Sequence, residues 1–110
     1  MALQVHQVAL AAVTELRPVV AVIARHDRSL AQQLRTAASS MVLNIGEAER
    51  SDPGTGRARL FSAAGSTRET RSALELAVAW GYLSPALVAP AEAELDRVAA
   101  MLHRLTHARA

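Results

Sequence analysis

The sequence predicts an all-α protein, an antiparallel up-down-up-down four-helix bundle formed by residues 1–110 as one domain. Three observations predict it. Apolar residues recur every three to four positions in four successive segments separated by short breaks. Apolar residues make up 51% of the chain but aromatic ones only 3%, so the core must be built from Ala, Leu and Val, and Ala and Leu are the best helix formers. Five Gly and four Pro in 110 residues are too few for a turn-rich β fold.

The first helical segment runs from about Leu3 to about Ala24. Val5, Ala9, Ala12, Leu16, Val20 and Ile23 form one stripe at helical spacing, with Gln7, Thr14 and Arg25 opposite. Pro18 falls on the polar side and removes one backbone hydrogen bond, which predicts a kink. The second segment spans Ser29 to Arg50. Ser29 and Gln32 fit a capping box, and Leu30, Leu34, Ala37, Met41, Ile45 and Ala48 supply the stripe. The stretch from Ser51 to Gly56 is the clearest break.

The third segment, about Arg57 to Trp80, differs from the others. Leu60, Ala63, Thr67, Leu74 and Val78 make one apolar stripe, and Gly65, Ala73, Leu76 and Trp80 make a second. No helix is central in a four-helix bundle, so a second stripe predicts contact with another copy of the chain. The alternative is an inert Ala-rich surface. In the fourth segment Ser84 is the expected N-cap and Pro85 the first helical residue. Val88, Ala91, Leu95, Val98, Leu102 and Leu105 continue as a regular stripe, and Pro90 either kinks the first turns or marks the true start.

All twelve basic residues are Arg against ten acidic ones, a net charge of +2. A nucleic-acid role must therefore rest on where the Arg side chains gather. The absence of Cys excludes disulfides and thiolate metal sites. No uncharged apolar run approaches the length of a membrane span, and the N-terminus has no signal-peptide pattern. The expectation is a cytoplasmic protein without membrane, metal or cofactor.

Few residues offer chemistry. Glu69 falls among Ser66, Ala73 and Leu76 on the helical wheel, where a buried carboxylate needs a partner. Asn44 and Glu47 lie near the second segment's stripe, one turn from Ser40. These three are read as a structural polar network fixing helix register, with Arg35 as a further partner; a metal or acid–base site is the competing reading. The Glu-x-x-His pairs of di-iron bundles are absent. His103 and His107, four apart, can chelate a metal, but no third ligand adjoins them and a solvated face serves as well. No phosphate loop, nucleophile elbow or catalytic triad is present.

The Arg residues are more informative. Bundle topology puts the start of helix 1, the 2–3 connection and the end of helix 4 at one end. That end collects Arg50, Arg57, Arg59, Arg104 and Arg109 with His6, His103 and His107, offset in part by Glu49 and Asp52. Guanidinium forks suit phosphates. The same charges also suit simple solubility, and those at the end of helix 4 suit its dipole. With so few aromatic residues, base stacking is not expected.

The run Leu34 to Glu47, LRTAASSMVLNIGE, resembles the pattern LRRAA.SI..NIAEG of the bacterial four-helix bundle proteins encoded in ribosomal RNA intervening sequences. Phe61 to Glu69, FSAAGSTRE, resembles that family's FL.IA.GS..E, and Ala77 to Ser84, AVAWGYLS, resembles its A..LGYIS. The motifs occur in order over the middle half of the chain, with Ala48 where the family usually has Gly. The resemblance implies an antiparallel bundle that assembles as a homopentamer and has no established catalytic activity. A related branch, the accessory proteins of diversity-generating retroelements, binds a reverse transcriptase and nucleic acid. The family's Asn and Glu positions map onto Asn44, Glu47 and Glu69.

Two functional expectations follow. One is a non-enzymatic oligomer that binds RNA or DNA non-specifically through its Arg-rich end. The other is a protein-interaction scaffold, such as an accessory subunit of a reverse transcriptase or another nucleic-acid enzyme. An enzyme with a carboxylate site is retained only for Glu69.

Overall fold

The computed structural model describes residues 2–108, with side chains from Gln4 onward. Four helices account for almost all of it: α1 Ala2–His26, α2 Arg28–Glu49, α3 Pro53–Ala79 and α4 Pro85–His107. α1 and α3 each pack against both α2 and α4. The helices therefore form a four-cornered, up-down bundle 45 Å long and about 20 Å across (22 × 19 Å).

The core is aliphatic. Ile23, Leu34, Met41, Ile45, Leu74, Leu95 and Leu102 are fully buried, each side chain contributing about 1.5–3 kcal/mol of hydrophobic stabilisation. Ala9, Ala12, Ala63, Ala77 and Ala91 are equally inaccessible, and their size lets neighbouring helices close together. Gly56 of α3 comes closest: a Cβ added there would lie 3.0 Å from the Ala48 carbonyl oxygen of α2. Buried hydroxyls are internally satisfied. Thr67, Thr70 and Thr106 each donate to the carbonyl four residues back, at 2.8 Å.

Several local expectations change. In α1 it is Val19 that is buried, and Val20 only partly. Pro18 lies inside the helix and is exposed, on the polar side as its position predicts. Gln4–His26 is long and apolar enough to cross a membrane, although Glu15 and Arg17 interrupt it, so no uncharged run reaches that length. The bundle uses that apolar character internally, through Val5, Ala9, Ala12, Leu16, Val19 and Ile23, while Glu15 and Arg17 stay exposed.

The α1–α2 connection is the single residue Asp27, and Asp27 rather than Ser29 caps α2. Its Oδ1 accepts from the Leu30 N–H at 2.9 Å. Ser29 and Gln32 engage Gln33 and Thr36 instead. α3 begins four residues earlier than expected, at Pro53. Asp52 caps it by accepting from the Thr55 N–H and hydroxyl, both at 2.9 Å, and Pro53 fits the first turn because no N–H is needed there. Ser84 occupies the N-cap position of α4 as expected, but its side chain makes no capping hydrogen bond.

α3 ends in a Schellman motif. The Tyr82 N–H donates to the Ala77 carbonyl and the Gly81 N–H to that of Val78. Gly81 has φ +81°, a left-handed conformation that a side chain would strain.

Candidate nucleic-acid interface

The expected gathering of chain ends is built from direct contacts. Arg57, in the first turns of α3, donates to the Thr106 carbonyl near the end of α4 at 2.6 Å. Gly56 meets Ala48 near the end of α2. His6 of α1 lies beside Gly46 of α2, where an added Cβ would be 3.7 Å from its Nε2. The starts of α1 and α3 and the ends of α2 and α4 thus share one end.

Arg57 does more than present charge. Its guanidinium lies 4.9 Å above the Phe61 ring. Phe61 meets His107 edge-on at 6.1 Å, and His107 stacks on His103 at 4.0 Å. The two imidazoles lie ring on ring, and His107 Nδ1 is within 3.0 Å of the His103 carbonyl. Among the described residues no group of three or more His, Asp or Glu side chains could hold a metal.

Arg50 ends α2, and its backbone N–H satisfies terminal carbonyls of that helix while the residue stays exposed. Arg104 is also exposed. Arg109 lies outside the described residues. The ion pairs among the described residues are Arg71–Asp96 at 3.6 Å and Arg97–Glu94 at 2.9 Å. Neither involves Arg50, Arg57, Arg59 or Arg104, which have no carboxylate partner among the described residues. Asp52 belongs to the α3 cap, and the Thr55 backbone N–H holds its carboxyl below the usual carboxylate value.

Arg59 departs from the group. It turns toward Asn44, Nη1 to Oδ1 at 3.4 Å, and lines an open groove of about 500 Å³ between α2 and α3 with Arg35, Ser39, Ser40 and Glu47. Asn44 donates to the Ser40 carbonyl at 2.9 Å and to its hydroxyl at 3.1 Å. The Ser40 hydroxyl reaches that of Ser66 at 2.9 Å. A network tying α2 to α3 exists, but its members are Ser40, Asn44, Arg59 and Ser66. The Glu47 carboxylate borders it without a described hydrogen bond, the residue's carbonyl accepting instead from the Ser51 hydroxyl at 2.7 Å, and Arg35 has no ion pair among the described residues.

The expectation of a buried Glu69 is not met within the chain. Glu69 is exposed, without a described hydrogen bond, at the rim of a separate small pocket with Leu30, Gln33, Ser72 and Leu76. α3 turns Thr67, Thr70, Ala73, Leu74 and Ala77 inward, which leaves Glu69 on the surface of the single chain. The second stripe of α3 is likewise not one face. Ala73 joins the chain's own core, Gly65 is half-buried, and Leu76 and Trp80 are exposed.

Sequence reasoning missed the opposite end. There Tyr82 donates its hydroxyl to Asp27 Oδ2 at 3.1 Å. Its ring stacks on His26 at 5.1 Å with an 8° tilt and lies 6.4 Å from Trp80 with a 17° tilt. Burial and the Asp27 carboxylate push the Tyr82 phenol above its ordinary value. Three planar rings are gathered where none was expected. The usable signal was topological: His26 and Asp27 stand at one helix junction and Trp80, Gly81 and Tyr82 at another, and an up-down bundle puts both junctions at the same end.

Comparison with known proteins adds a family. The family model described as 23S rRNA-intervening sequence protein matches residues 1–104. No curated protein and no solved structure matches the chain.

Proposed function

We propose, for a chain that belongs to the 23S rRNA-intervening sequence protein family, a non-enzymatic role in which a homo-oligomer binds RNA or DNA through phosphate contacts at the Arg-rich end. The observation that carries the reading is charge without partners. Arg50, Arg57 and Arg104 belong to one end of the bundle and none is paired to a carboxylate among the described residues. Arg59 extends the set along the α2–α3 groove. Guanidinium groups at helix ends reach phosphates, whereas no recognition helix stands clear of the bundle to read base edges.

Assembly would multiply the effect. The resemblance to the intervening-sequence proteins implies a pentamer, and ring closure requires one face of a copy to meet a different face of the next. An α1–α2 groove lined by Val13, Leu16, Val20 and Ala24 and rimmed by Arg17 and Arg35 is one suitable face. The α3 edge bearing exposed Leu76 and Glu69 offers apolar surface and the charge opposite to that of Arg17 and Arg35. A ring would repeat the same Arg set around one rim, so that weak contacts act together.

The test is a salt titration of binding to duplex and single-stranded RNA and DNA, with light scattering on the same samples. The parent should show a steep salt dependence and an oligomeric mass. Changing Arg50, Arg57 and Arg104 together to Gln should weaken binding for all sequences alike and lower the salt slope by about one for each phosphate that no longer meets a cation. A parent that binds neither nucleic acid at low salt would replace this reading with the scaffold one, in which the same arginines meet an acidic protein such as a reverse transcriptase.

A further inference from the structure

The end opposite the Arg-rich cluster carries a large aromatic side chain that the core does not use. Trp80 is 65% exposed, so most of the largest side chain in the protein contributes nothing to the core. Yet the rings around it are held in place. Gly81, with its left-handed φ, reverses the chain after α3 so that Tyr82 returns beside Trp80. The Tyr82 ring is flanked by the His26 imidazole and the indole, and its hydroxyl is fixed by Asp27. Asp27 has both oxygens engaged, by the Leu30 N–H and the Tyr82 hydroxyl. Arg25 and Arg28 stand on either side of it, exposed and outside the described ion pairs. An ordered aromatic group with two exposed arginines at the adjoining helix junction has the chemistry of a base-stacking platform, on which the ring face takes a base and the cations take the adjacent phosphates.

We propose that this end is a second nucleic-acid site, at which an unpaired base of a single strand stacks on Trp80 while Arg25 and Arg28 meet the adjacent phosphates. The site shares no residue with the Arg-rich end and stands whether or not that end binds. Its ligand differs in kind. The Arg-rich end takes phosphates of either duplex or single strand, whereas a stacking platform needs a base free of its own neighbours.

Trp80 is the only tryptophan in the chain, so its emission reports this site alone. The intact protein is titrated with an unstructured oligouridylate or oligoadenylate, with a duplex of the same length, and with inorganic polyphosphate. Saturable quenching by the single strands, with no effect of the duplex or polyphosphate, is the expected result. The Arg50, Arg57 and Arg104 to Gln variant should keep that quenching. In the Arg50, Arg57 and Arg104 to Gln background, which leaves this site alone to bind, Trp80→Leu should weaken single-strand binding about tenfold, measured by anisotropy of a labelled strand, and Trp80→Phe less. Folding of both variants is checked by circular dichroism and is expected because the indole lies outside the core. Absence of quenching, equal quenching by duplex or polyphosphate, or an emission change produced by protein concentration alone would each overturn the proposal; the last would make this surface a contact between copies.

Discussion

The two ends of the bundle are built on opposite plans. The Arg-rich end holds helix starts and finishes near the chain termini together with the α2–α3 connection, and it presents exposed guanidinium groups, of which Arg57 alone is fixed, over the Phe61 ring and against the Thr106 carbonyl. The aromatic end holds the two remaining connections, and it presents planar rings locked to one another. The two lie at opposite ends of a bundle 45 Å long, several times the Debye length of about 8 Å at physiological ionic strength. The ends therefore do not influence each other electrostatically, and a change at one should be silent at the other unless it passes through the core. The difference teaches that a bundle of small residues can be a neutral rod whose ligand chemistry is confined to its tips.

The largest expected effect breaks the rod itself. Leu102 is fully buried in α4, one turn before Thr106, whose carbonyl receives Arg57. Leu102→Ala should cost about 2–5 kcal/mol through reduced burial and a residual cavity, read as a lowered denaturant midpoint. Below the transition the emission of Trp80 should match that of the parent. A shifted native-state emission would show that the two ends are coupled through the core and would end the comparison.

Much of this architecture is legible in the sequence. Of the α4 stripe, Val88, Ala91, Leu95, Val98 and Leu102 are fully or almost fully buried as their spacing predicts and Leu105 only partly, because an amphipathic helix in a small bundle has one way to face the core. The Arg-rich end follows from topology and charge alone, and Arg57 ties it together. α3 is harder to read because small and apolar residues lie on more than one side of it, so a wheel cannot distinguish the buried Ala73 from the exposed Leu76. That ambiguity misplaces Glu69. The α2 cap is misread because Ser29 and Asp27 are both competent, and what distinguishes Asp27 is a tyrosine 55 residues away. Tertiary partners of that kind leave no periodic trace, which is also why the aromatic end is invisible to pattern alone.

A smaller effect sharpens the comparison from the other side. Gly56 brings α3 against the Ala48 carbonyl at the Arg-rich end. Gly56→Val would push a branched side chain into backbone that cannot move aside and should cost about 1–3 kcal/mol. Native-state hydrogen exchange should show the reduced protection concentrated at the end of α2 and the start of α3, with the amides of Leu30 and Tyr82 unchanged. Uniform weakening along all four helices would mean that the ends do not open separately.

The smallest effect distinguishes the ends by pH. At the Arg-rich end, the Thr55 N–H holds the Asp52 carboxyl below its ordinary value of 3.8. The stabilisation comes from the ionised cap, so it is complete above that value and fades as pH falls through the lower, folded one. At the aromatic end, burial and the Asp27 carboxylate raise the Tyr82 phenol above its ordinary value of 10.0. Here the stabilisation belongs to the neutral form; it is complete below pH 10.0 and is lost as pH rises through the higher, folded value. The chain has one Tyr, no Cys and no Lys, so Tyr82 is the only side chain that titrates between roughly 9 and 12. Thermal midpoints against pH should therefore fall at both extremes from different ends of the molecule. Asp52→Asn should flatten part of the acid limb and leave the alkaline limb as it was. Tyr82→Phe should remove the alkaline limb up to the onset of Arg titration, and only that limb should be accompanied by a change in Trp80 emission. An alkaline limb that survives Tyr82→Phe would show that the Tyr82–Asp27 hydrogen bond does not hold the aromatic end together.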